Sequence, residues 1–203
     1  PALWPPSVPL GHYYKTIATN GFIGHGYHVN PNDGYFNNVE ALRALSPLTE
    51  PTLVRGEPSD PATNGFYFDT DSDFQDAGIG ITRNDQYMDL FLADFNAPDT
   101  GNYKFKIDNL DDYGAIWLDL DRNGIFEATG LSGNEKMGGN GNFTSNEVAL
   151  VGGQTYKLAI AHGEVTGNSS FQALFQSPSG NADIIMADFE GGSYGNWTTT
   201  GTA

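Results

Sequence analysis

The 203-residue chain contains no cysteine. That removes structural disulfides, thiolate nucleophiles and cysteine-based zinc sites together. Basic residues are scarce: nine lysines and arginines stand against 25 aspartates and glutamates, a formal charge of −16. Phosphate recognition needs clustered cations, so this balance argues against nucleic acid or an anionic membrane as a partner. No apolar run approaches the roughly 18 residues of a membrane-crossing helix, so no membrane insertion is expected. No basic-then-apolar leader opens the chain at Pro1, which reads as the start of a mature fragment or an excised module. A zinc site built on histidine is not expected either. His25 and His28 are three apart on an expected strand and so face opposite sides, with no third ligand at motif spacing. The chain has no G-x-S-x-G elbow, and Gly78-x-Gly80 and Gly138-Gly139 lack the strand-to-helix setting of a phosphate loop.

What the chain has in quantity is glycine (26), proline (11), aromatic residues (13%) and hydrophobic residues (38%). Many tight turns around short apolar segments point to an all-β fold. Strand-like segments recur at 66–69, 87–95, 103–108, 115–120, 125–128, 148–151, 156–162 and 171–176. Tyr103, Phe105 and Ile107 alternate with Lys104, Lys106 and Asp108; Tyr156, Leu158 and Ile160 repeat the pattern, as do Phe171, Ala173 and Phe175. Eight or nine such strands predict an antiparallel β-sandwich or barrel with one or two short helices. The clearest helix spans 38–45, with Val39, Leu42 and Leu45 on one side and Pro47 as its stop. Residues 1–20 open with four prolines in ten positions and read as an extended lead-in; 21–182 carry the sandwich; 183–203 read as a linker into a following module.

The acidic residues are concentrated. Fourteen of the 25 lie between Asp69 and Glu127, beside only Arg83, Lys104, Lys106 and Arg122. Such a cluster is either a solvated acidic face or a set of sites for a hard cation such as Ca2+. Asp111-Asp112-Tyr113-Gly114 follows one clean strand and precedes another. Adjacent side chains on a regular strand point to opposite faces, so two carboxylates on one ion require a sharp turn between them. The loop 163–169 offers one carboxylate, one amide and free carbonyls, or is simply a polar hairpin loop. The run 119–127 (DLDRNGIFE) resembles the first half of an EF-hand loop without the twelfth-position glutamate, and makes Asp119, Asp121, Asn123 and Glu127 candidates for a second ion. Its Asn-Gly pair is equally the signal of a type I′ hairpin turn. Asp69, Asp71, Asp73 and Asp76 form a looser version of the same pattern.

Three segments then carry a family resemblance. GFIGHGY (21–27), APDTGNYKFKIDNLDDYGAIWLDLD (97–121) and VGGQTYKLAIAHGEVTGNSSFQALFQSPSG (151–180) are similar, in this order, to the opening strand, the most typical segment and the closing hairpin of the PA14 domain family. The last residues, ADFEGGSYGNWTTTGTA, resemble the opening of a β-sandwich module found beside fructan-active glycoside hydrolases. The PA14 resemblance implies a β-sandwich whose lectin branch, known from flocculins and bacterial adhesins, binds sugar through calcium. It implies that Asp111 and Asp112 are the family's paired aspartates, joined by a cis peptide. It places Glu164 where flocculins have a metal-binding asparagine, and the carbonyls of Thr166 and Asn168 where they have backbone ligands. The chain departs from that pattern by having Glu for Asn at 164 and no tryptophan at 168.

These readings converge on a calcium-dependent carbohydrate-binding module, not itself an enzyme, of an extracellular or cell-surface protein. The expected partner is a mono- or oligosaccharide met by a monomeric module, with Asp111, Asp112, Tyr113, Glu164 and Asn168 as sugar contacts. The competing expectation is a calcium-stapled structural or protein-interaction module accessory to a glycoside hydrolase. A hydrolase using Asp112 and Glu164 as its carboxylate pair is a third reading, and one that calcium on the same groups would exclude.

Overall fold

The computed structural model describes residues 22–54, 66–97, 99–127, 135–178 and 184–185. The lead-in 1–20 and nearly all of the tail 183–203 lie outside the described residues, so those two expectations find no counterpart here. Within them the chain forms two antiparallel sheets, numbered along the sequence. The first orders its strands β2 (Thr52–Val54), β1 (Phe22–Tyr27), β4 (Tyr87–Asn96), β10 (Thr155–Glu164), β6 (Tyr113–Leu118) and β7 (Lys136–Gly139). The second orders β12 (Ile184–Ile185), β11 (Ser170–Gln176), β5 (Gly101–Asp111) and β8 (Phe143–Thr144), with β3 (Tyr67–Phe68) added to β11 and β9 (Val148–Leu150) added to β5. The fold is the expected all-β sandwich.

Alternation decides which side chains meet between the sheets. On β4, Tyr87, Phe91, Ala93 and Phe95 face inward; on β10 Tyr156, Leu158 and Ile160 do; on β5 Tyr103, Phe105 and Ile107 do. The opposite faces of β4 and β10 are also buried. Met88, Leu90, Leu92, Ala159 and Ala161 pack with Phe36, Val39 and Leu42. Both faces are apolar because a segment of short helical turns covers the first sheet from outside. It ends in helix α1 (Val39–Arg43), whose first turn is capped by Asn38 accepting the Ala41 amide at 3.1 Å. The helix expected over 38–45 is therefore present but shorter.

The structure corrects the sequence reading in three places. Residues 125–127 form no strand. The Phe126 amide donates to a Glu40 oxygen at 3.0 Å and the Glu127 amide to Glu135 Oε2 at 3.0 Å, so side chains take the bonds a neighbouring strand would have taken. Asn123-Gly124 is consequently not a two-residue hairpin turn. Positive φ falls at Arg122 (61°) and Gly124 (87°), not at the consecutive Asn-Gly pair that a type I′ turn requires. The loose aspartate pattern from Asp69 to Asp76 is a helix, α2 (Asp71–Asp76). Asp73 closes a capping box with Thr70, its Oδ2 accepting the amides of Asp69 and Thr70 at 2.8 Å each. That carboxylate caps a helix.

Candidate functional site

The two chain segments singled out in the sequence are both crossings between the sheets, and they lie side by side. At Asp111-Asp112 the chain leaves β5 of one sheet and enters β6 of the other. At 165–169 it leaves β10 and enters β11. Ser170 pairs with Asp111 on one sheet and Gly163 with Tyr113 on the other, so the crossings are held in register from both ends. The Asp111–Asp112 peptide is cis, as the resemblance implied.

Hydrogen bonds then fix the second crossing around the first. Asp112 Oδ2 accepts the amides of Val165 at 2.9 Å and Thr166 at 3.2 Å. The turn before β4 holds the loop from its far side: Gln86 Nε2 donates to the Val165 carbonyl at 2.9 Å, and Asp85 Oδ1 accepts the Gly167 amide at 3.1 Å. Gly167 sits at φ 113°, a conformation that favours glycine. Asp85 and Gln86 were not identifiable from sequence, since they act through backbone groups of a loop eighty residues away. Thr166 and Asn168 lie on the exposed part of this loop.

Three carboxylates meet here: oxygens of Asp111, Asp112 and Glu164 all lie within 4.8 Å of one another. Glu164 is fully buried, and neither of its oxygens has a hydrogen-bond partner among the described residues. A buried, unpartnered carboxylate is costly, and costlier beside two others. Burial first, then the Asp112 charge, pushes the Glu164 carboxyl up to about 7 from its ordinary 4.5. Burial and Asp112 raise Asp111 as well. The donor set is all oxygen and predominantly anionic, which fits a hard divalent cation such as calcium.

Tyr113 follows the pair directly and is half-buried, its ring 5.5 Å from that of the buried Phe36. Phe36 comes this close because residue 163 is glycine; a Cβ there would stand 2.7 Å from Phe36 Cζ. On the other side, a chain of hydroxyls links α2 to the loop. Tyr87 donates to Ser169 Oγ at 2.6 Å, and Ser169 Oγ to Asp71 Oδ1 at 2.6 Å.

The second acidic segment also closes on itself. Asp119, buried, accepts the amides of Asn123 at 3.0 Å and Gly124 at 2.9 Å. Asp121 accepts the Asn123 amide at 3.0 Å, and the Asn123 side chain donates to Asp121 and to Glu127 Oε1. The third carboxylate brought within 4.8 Å of Asp119 and Asp121 is Glu135, not Glu127. Glu135 is buried and accepts the amides of Leu120 at 2.6 Å and Glu127 at 3.0 Å. Burial and the nearby Glu127 push its carboxyl up to about 7. No spacing rule joins Glu135 to this loop, because it stands just before β7, outside the 119–127 run.

The GLEYA domain family matches residues 93–177, fewer than half of the chain, a span that contains both crossings. Among solved structures the chain is similar to the A domain of epithelial adhesin 9 from Candida glabrata, solved with Galβ1-4GlcNAc. That likeness has 14% identity over 86% of this chain and 92% of that one, with a TM-score of 0.56. It is similar to the PA14 sugar-binding domain of an RTX adhesin, at 17% identity over 83% of this chain and 96% of that one, TM-score 0.53. It is also similar to an anti-sigma factor domain-containing protein, at 17% identity and TM-score 0.50, covering 83% of this chain and 46% of that one. This chain thus spans about half of that protein. No curated protein sequence matches. At these identities the shared property is the fold, and the resemblance to PA14-type domains is borne out at that level.

Proposed function

We propose that this PA14-like sandwich is a calcium-dependent carbohydrate-binding module of a secreted or cell-surface protein. The observation that carries the reading is the buried Glu164, both oxygens unpartnered, beside Asp111 and Asp112. An ion would neutralise the three carboxylates and supply coordination positions for two vicinal sugar hydroxyls. Glu164 would reach that ion from inside the sandwich, and Asp111 and Asp112 from the rim, with the carbonyls of Thr166 and Asn168 as further ligands. Asp112 Oδ2 is already committed to two amides, so its role is to hold the loop as well as the ion. The exposed parts of Asp111, Asp112 and Asn168 would accept or donate hydrogen bonds to sugar hydroxyls, and Tyr113 would offer a ring face to the sugar's apolar side. One such shallow contact is worth about 4–6 kcal/mol, or millimolar to tens of micromolar affinity. Firm attachment would come from several modules acting together. The names of the adhesin domains that share the fold support this reading. A second ion, with a structural role, is proposed at Asp119, Asp121 and Glu135, supported there by two buried carboxylates in one cluster.

A glycoside hydrolase would also use a carboxyl near neutrality, and Glu164 has one. A general acid must touch the glycosidic oxygen, however, and Glu164 has no exposure to any substrate. The test is a glycan array probed in calcium and in chelator. Glycans bound only in calcium are expected; an array with no bound glycan in calcium would favour the purely structural module.

A further inference from the structure

We propose that Asp89 and His162 are positioning residues for the Asp111–Asp112 pair, a buried carboxylate–imidazole relay that holds the Asp111 carbonyl from inside the sandwich. The inference rests on the reading of Asp111 and Asp112 as ion ligands given above.

Both residues have no solvent exposure and stand directly opposite each other in the β4–β10 register. They occupy inward positions of strands whose other inward side chains, Glu164 at the end of β10 apart, are aromatic or aliphatic. Replacing a buried ion pair by an apolar pair of similar volume is often neutral or stabilising, so packing alone gives no reason for this one. What the pair does is directional. His162 Nε2 lies 2.8 Å from the Asp111 carbonyl oxygen, and Nδ1 lies 3.0 Å from Asp89 Oδ2. A carbonyl only accepts, so Nε2 carries a hydrogen and donates it. On the other side Nδ1 and Asp89 Oδ2 are joined by one hydrogen bond, whichever of the two carries its proton. The ring cannot swing away, because it stacks on Phe74 at 4.4 Å and 14° and on Phe171 at 5.5 Å and 20°.

The carbonyl it holds belongs to the peptide that links the two aspartates. The β5–β11 register shifts between Gln172 and Ser170, opposite this end of β5, so the ladder alone does not set the plane of that peptide. Fixing the carbonyl fixes the plane, and with it the directions in which the two side chains leave the backbone. Groups that orient metal ligands from behind are typically worth 10–100-fold in metal affinity. The sequence held a signal for this: Asp89 interrupts an apolar strand, and His162 extends the inward face of Tyr156, Leu158 and Ile160.

The experiment compares His162→Gln and His162→Asn in the whole chain, measuring calcium affinity by calorimetry and melting temperature in chelator. The Gln amide reaches as far as Nε2 and can still donate to the carbonyl, whereas the shorter Asn amide replaces only Nδ1. Calcium affinity should fall 10–100-fold in His162→Asn and recover to within about threefold of the parent in His162→Gln, although both lower the melting temperature. Equal calcium affinities in the two variants would overturn the positioning role. Should both fail to fold, Asp89→Asn and Asp89→Leu replace them. The Asn amide can donate to Nδ1 and leave Nε2–H on the carbonyl, so it should retain far more calcium affinity than Leu; equal affinities would again overturn the proposal. Asp112→Asn is the control. Parental calcium affinity in Asp112→Asn overturns the ligand reading itself, and the positioning role with it. A weakened Asp112→Asn beside a parental His162→Asn overturns the positioning role alone.

Discussion

Asp112 accepts the backbone amide of Val165 at 2.9 Å, and this bond makes one unit of two crossings that are 53 residues apart in sequence. Ladder pairs hold the strands on either side, but residues 165–169 and Asp112 belong to neither sheet. There the carboxylate replaces the ladder. The same side chain that fastens the loop also contributes an oxygen to the group formed with Asp111 and Glu164, so loop order and the proposed ion site share one residue.

Calcium should therefore stabilise the fold by mass action. At an ion concentration a hundredfold above the dissociation constant the gain is about 2.7 kcal/mol, several degrees in melting temperature for a domain of this size. Thermal denaturation in calcium and in chelator measures it. An unchanged melting curve would mean that the three carboxylates hold no ion.

Without calcium, stability should fall as pH rises. Glu164 is pushed up to about 7 and Glu135 likewise, against an ordinary 4.5. The folded state then keeps protons that the unfolded chain releases between about pH 4.5 and 7, so the stabilisation is complete below that window and is lost across it. The ion competes with the same protons, so calcium affinity should rise over the same interval. Glu164→Gln should flatten part of the pH slope in chelator and weaken calcium binding by about tenfold without abolishing it. Melting temperatures at pH 5, 6, 7 and 8 check this; a melting temperature in chelator that climbs from pH 5 to 7 would contradict it.

Asp119→Asn combined with Asp121→Asn should lower stability by about 1–3 kcal/mol, because the buried Asp119 carboxylate holds two amides of its loop. If an ion sits there too, the loss will be larger in calcium than in chelator. Glycan binding should be unaffected, since β6 separates this loop from Asp111. Denaturant titration under both conditions separates the outcomes; an equal loss in both would assign the loop to hydrogen bonding alone.

Much of this was legible in the sequence, for physical reasons that can be named. Alternation marked the inward faces of β5, β10 and β11, because a half-buried strand repeats every two residues. The paired aspartates were visible because two adjacent carboxylates between apolar strands repel each other unless a cation lies between them. Hidden were the contacts made at a distance. Glu135 reaches Asp119 from just before β7, Asp85 and Gln86 act through backbone groups of the 165–167 segment, and Asp73 looked like a ligand but caps a helix. The expected strand at 125–128 failed because Glu40 and Glu135 satisfy its amides, which no local pattern announces.

The most direct test is calorimetric titration, in saturating calcium, of a glycan identified on the array into the parent, Asp111→Asn and Asp112→Asn. Each substitution keeps the side-chain shape and removes one of the charges converging on Glu164. Glycan affinity should be lost in both variants, while their circular dichroism remains that of the parent sandwich. Undiminished glycan affinity in both would place the sugar elsewhere on the domain and contradict the account.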